Sequence, residues 1–97
     1  MRHAGSESLD QLASLLDQLR SLPGLIERTR GVFYVRSRAF LHFHEDPKGL
    51  FADLRDAAGK DFDRFAVNDE ASRAALLALT AERLRDARTK APPGRSR

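Results

Sequence analysis

Apolar residues recur along this chain with two periods, and each change of period marks an element. In "SESLDQLASLLDQLRSLPG", Leu9, Leu12, Leu16 and Leu19 follow helical spacing and Leu15 widens the stripe. That pattern predicts an amphipathic helix. Ser6 or Ser8 is placed to cap its start, Ser8 with Gln11 fits a capping box, and Pro23 and Gly24 end it. "LIERTRG" then reads as a connector.

The period falls to two in "VFYVRSRAFLHFHED", where aromatic and β-branched residues predict strands. The charged triplet "RSR" interrupts the run and predicts a hairpin. A three-residue loop at Ser37, Arg38 and Ala39 pairs Val35 with Leu41 and Phe33 with Phe43, keeping one face apolar. A two-residue loop at Arg36 and Ser37 would put Phe33 opposite Phe40 and demand positive φ at non-glycine residues. The first register is the expected one. "EDPKG" is a turn, "LFADLR" a third strand, "DAAGK" a loop and "DFDRFAV" a fourth, weaker strand. "NDEASRAALLALTAERLRDAR" predicts a second helix capped by Asn68 or Asp69, with Ala74, Leu77, Ala81 and Leu84 as its buried stripe.

These elements predict an α+β fold: an N-terminal helix, an antiparallel sheet of three to four strands and a C-terminal helix, both helices on one sheet face. The expected core is Leu12, Leu16, Leu19, Phe33, Val35, Leu41, Phe43, Leu50, Ala52, Leu54, Leu77 and Leu84. Residues 1–87 form one domain, and residues 88–97, "RTKAPPGRSR", read as a disordered basic tail.

Charge changes this picture only at the tail. The net charge is +3, yet Arg88, Lys90, Arg95 and Arg97 lie in the last ten residues, where no acid occurs. The body through residue 87 is close to neutral, so the basic balance is no argument for a nucleic-acid-binding domain as a whole. The absence of cysteine excludes disulfides, thiolate metal sites and cysteine nucleophiles. No apolar run approaches the roughly 18 residues that span a bilayer, and "MRHAGSESLD" lacks a signal-peptide core. A cytoplasmic location, without membrane contact, is the expectation.

In the expected register the sheet face away from the helices carries Tyr34, Arg36, Phe40, His42, His44, Phe51, Asp53 and Arg55. Aromatics interleave with basic groups there. Aromatics stack on bases and arginines fork onto phosphate, so this face suits a nucleic-acid partner, DNA or RNA. Tyr34, Arg36, Arg38, His42, His44 and Arg55 are its candidate contacts, with Arg28 and Arg30 adding attraction. A homodimer that buries Phe40 and Phe51 is the alternative. A third reading is metal binding by His42 and His44, which project to one side of a strand, with Asp46 or Asp53 as an oxygen ligand. It lacks a third histidine near the pair, since His3 lies in the N-terminal segment, so no metal or other cofactor is expected. No Gly-x-Ser-x-Gly elbow, Walker loop or dinucleotide fingerprint occurs, so no enzyme is expected.

The order "LPGLIERTR", "VFYVRSRAFLHFHED", "GLFADLR" resembles the YjbR/MmcQ-like family of small bacterial proteins. The resemblance rests on Leu22, Pro23, Gly24, Glu27, Phe33, Val35, Phe40 and the strand from Leu50 to Arg55, and covers residues 9–55. It implies a DNA-binding-like fold and a non-enzymatic nucleic-acid-binding module. The chain differs from that family in carrying Arg36, Ser37 and Arg38 where hairpin glycines are common, and an extended "DFDRFAV" where a helix follows.

Overall fold

The protein is described from a computed structural model, which covers residues 1–89. It is an α+β fold with more strands than the pattern announces. A short strand β1 (Arg2–His3) leads into α1 (Ser6–Gln11) and α2 (Ala13–Arg20). Then come β2 (Ile26–Thr29), β3 (Val32–Val35), β4 (Arg38–Asp46), β5 (Gly49–Arg55) and β6 (Phe62–Ala66), and α3 (Glu70–Thr89) closes the described chain. The strands form one antiparallel sheet in the order β2-β3-β4-β5-β6, with β1 paired to β4. The tail expected from residue 88 begins inside α3, and residues 90–97 lie outside the described residues.

The predicted N-terminal helix is two helices articulated at Leu12, whose ψ of 10° leaves the α-helical range. Gly5 is the N-cap of α1, without a side-chain cap. The Ser8 hydroxyl, expected to cap, donates instead to the Glu45 carboxylate. Asp69 does cap α3: its Oδ1 accepts the Ser72 N–H and its own N–H donates to Ser72 Oγ. Asn68 is drawn elsewhere, accepting the Leu50 N–H.

The hairpin register differs from expectation. The loop is the two-residue one at Arg36 and Ser37, with Val35 opposite Arg38, Tyr34 opposite Ala39 and Phe33 opposite Leu41. Two local features admit it. Arg36 takes φ of 57°, and a β-bulge absorbs Phe40 between the Tyr34 and Phe33 pairs. The extra residue restores apolar pairing of Phe33 with Leu41, so the core decides the register and the turn accepts the strain. It also turns Phe40 inward, to 5% exposure. A homodimer contact through Phe40 therefore has no basis, because that ring is part of the monomer core.

Both helix layers cover the same sheet face. Leu12, Leu16 and Leu19 meet Phe33, Leu41, Phe43, Ala52 and Leu54 in one cluster with Leu76 and Leu84 of α3. Burying each such large side chain contributes about 1.5–3 kcal/mol. Ten of the twelve expected core positions are buried; Val35 and Leu77 are half-buried at its edge. On α3 the buried stripe is Leu76, Thr80 and Leu84, whereas Ala74 faces solvent. "LIERTRG" contains β2, tied to α2 by Glu27, which accepts from Arg20 Nε at 2.5 Å and from the Gly31 N–H at 2.9 Å.

Candidate metal centre on the outer sheet face

Alternation in β4 sends Leu41 and Phe43 to the core and His42 and His44 to the opposite face. Cross-strand partners extend that face: His42 lies opposite Asp53 and His44 opposite Phe51. The sheet then supplies what the sequence pattern lacked. β3 occupies the edge of β4 only as far as His42, and β1 takes the vacated edge, with His3 directly opposite His44. Three imidazoles converge, their candidate ligand atoms all within 4.8 Å of one another.

The rings are packed closely. His42 and His44 stack at 4.9 Å between centroids, and His3 stands edge-on to His44 at 4.8 Å. His42 Nδ1 and His44 Nε2 share a hydrogen bond at 3.1 Å, one ring donating and the other accepting. Two nitrogens bound to one zinc at about 2.0–2.1 Å are separated by about 3.3 Å in a tetrahedral site. The pair thus has the spacing of two ligands on one ion. His44 turns its other nitrogen, Nδ1, toward Asp53 Oδ2 at 3.7 Å. At this distance Asp53 acts on His44 through its charge, on the side of the ring where a carboxylate can orient a ligating imidazole.

Asp53 itself is only 6% exposed and is held by Arg64, which donates from Nε at 2.7 Å and from a terminal nitrogen at 2.8 Å. Arg64 holds its carboxyl below the usual range, so it stays ionised beside the histidines. Burial lowers the pKa of both His42 and His44, opposed by the Asp53 charge. Both rings are accordingly neutral near pH 7, the state that ligates a metal.

His3 is positioned by residues around it. Glu45 Oε1 accepts the Gly5 N–H and the Ser8 hydroxyl, each at 2.7 Å, and Oε2 accepts Arg2 Nε at 2.9 Å. The Ala4 N–H donates to the Phe43 carbonyl at 3.0 Å. The Gly5 N–H, then Ser8 and Arg2, bring the Glu45 pKa from the ordinary 4.5 down to about 2.

The other residues expected on this face separate into groups. Arg28 lies over the Tyr34 ring at 4.8 Å, and Arg30 is paired with Asp10 on α1 at 2.8 Å. Arg55 lies over the Phe62 ring at 4.4 Å, and Phe62 in turn packs edge-on against His42. Arg36 and Arg38 sit at the hairpin end, lining a cavity of about 400 Å³. Phe51 is half-buried. Sequence reasoning counted His3 but set it aside as N-terminal, and it missed Arg64, Phe62 and Glu45; only the pairing of β1 with β4 brings His3 to the other two histidines.

Among the described residues no helix is long and apolar enough to cross a membrane. Comparison with protein-family models, curated proteins and solved structures finds no match to the chain.

Proposed function

We propose that this protein is a small metal-binding module that takes a borderline divalent first-row ion, zinc foremost, on His3, His42 and His44. The observation that carries the reading is the convergence of three imidazoles within 4.8 Å, with an ionised carboxylate behind His44. Nitrogen-only donor sets suit zinc, nickel, copper and iron, and not magnesium or calcium. Three protein ligands leave a coordination position for water or a small ligand. The proposal is one of binding, without catalysis: the cavity at the hairpin end is lined by none of the three histidines.

The test is titration of chelator-stripped protein with zinc, followed by calorimetry, and with cobalt, followed by its visible absorption. One equivalent should bind. Outer-shell losses alone cost roughly 10–100-fold in metal affinity, so His3→Ala and His42→Ala should each cost more. Absence of stoichiometric zinc binding, or affinity indifferent to His3→Ala, defeats the reading.

A further inference from the structure

We propose that the cavity between the β3–β4 hairpin, the β5–β6 loop and the end of α3 is a second binding site, for a phosphate monoester carried on a compact apolar body. Its volume of about 400 Å³ falls within the range of small-molecule pockets, about 300–1,000 Å³. Val35, Phe40 and Ala87 give it an apolar floor. Arg36, Arg38 and Arg55 form its cationic side.

Arg2, Arg20, Arg30, Arg64 and Arg83 each have a carboxylate partner. Of the arginines without a carboxylate partner among the described residues, Arg28, Arg36, Arg38, Arg55, Arg73 and Arg85, only Arg36, Arg38 and Arg55 line the cavity. Arg38 donates to the Gly59 carbonyl and Arg55 to the Ala39 carbonyl, which fixes both guanidinium groups without neutralising them. Like charges collected at one cavity favour an anion of more than one charge over a monoanion.

Two acids also line the cavity, Asp56 and Asp86. The Asp56 carboxylate is already committed to the loop, accepting the Lys60 N–H at 3.0 Å and the Asp61 N–H at 3.3 Å. Arg36 holds φ of 57°, a region that favours glycine. Backbone strain of this kind persists where the surroundings fix it and is concentrated at binding sites. Here it sets a cationic side chain on the cavity wall.

The experiment is a heteronuclear NMR titration at fixed ionic strength, with phenyl phosphate as probe and inorganic phosphate and benzoate as comparisons. Phenyl phosphate should saturate at one equivalent and move the amides of residues 36–40 and 56–59. Inorganic phosphate lacks the apolar contact and benzoate the second charge, so each should bind roughly tenfold more weakly. Arg36→Ala and Arg38→Ala should each weaken phenyl phosphate by roughly tenfold, and Arg85→Ala on the exposed side of α3 should not. Equal affinity for inorganic phosphate or benzoate, unsaturated binding, or equal loss in Arg85→Ala overturns the proposal. So does a single-stranded oligonucleotide that binds more tightly and shifts Arg28 and Tyr34 instead.

Discussion

Replacing Thr80 by valine probes how the core beneath the sheet is packed. Thr80 is fully buried on α3, and its Oγ1 has no hydrogen-bond partner. Threonine and valine share shape, β-branching and nearly equal helix propensity, so the exchange isolates the hydroxyl. An unpartnered buried hydroxyl costs about 1–3 kcal/mol by protein mutational data, and the new methyl adds a fraction of about 0.8 kcal/mol in burial. Thr80→Val should therefore stabilise the fold by about 1–3 kcal/mol. For a domain of this size each kcal/mol moves the melting temperature by about 4–8 °C. Urea unfolding at 25 °C should show a raised midpoint with an unchanged slope, and zinc affinity should not move, because Thr80 belongs to the helix layer. An unchanged or lowered midpoint would mean that the hydroxyl is bonded after all, for instance to the carbonyl of Leu76 one turn earlier.

Two further perturbations address the N-terminal strand and the hairpin. Glu45→Gln should weaken zinc binding by roughly tenfold although Glu45 is no ligand, since it loosens the strand that carries His3; calorimetry giving wild-type affinity would contradict this. The pH dependence has a defined sign: Glu45 falls from the ordinary 4.5 to about 2 on folding, so its contribution is full above about pH 4.5 and is lost as pH falls toward 2. The chemical shifts of the His3 and Ala4 amides should report a docked β1 above about pH 4.5 and its undocking as pH falls toward 2, and undocking already complete near pH 6 would assign the effect to another group. Arg36→Gly should stabilise the fold by about 1 kcal/mol, because glycine takes positive φ without the steric cost, while weakening phenyl phosphate; a lower urea midpoint would show that φ of 57° is unstrained here.

Much of the fold was legible because two periods carry it. The leucines of α1 and α2, and the alternation of Leu41 and Phe43 against His42 and His44, place themselves by spacing alone. The β3–β4 register was not legible, because it depends on a bulge at Phe40 that relieves a conflict between turn and core. Alternation cannot announce the residue that breaks it. β2 was hidden because Ile26–Thr29 is an edge strand, half-buried only at Glu27 and otherwise exposed, and its one apolar residue, Ile26, is 54% exposed. The candidate centre was half legible for the same kind of reason. A two-residue strand such as Arg2–His3 has no periodicity, so the third imidazole arrives through pairing 41 residues away in sequence. The burial of Asp53 became explicable only with Arg64 placed beside it on β6.

The division of one β4 edge between β3 and β1 has a thermodynamic consequence. A strand of two residues is among the first parts of a fold to open. Any ion that needs His3 binds only the docked fraction, so its apparent dissociation constant is the intrinsic one divided by that fraction. The linkage is reciprocal: an ion bound to all three imidazoles closes a ring from the N-terminus to the middle of the sheet and raises the population of docked strand. The affinity of the centre can thus be set by Arg2, Gly5 and Ser8, whose hydrogen bonds to Glu45 decide how often the third ligand is in place.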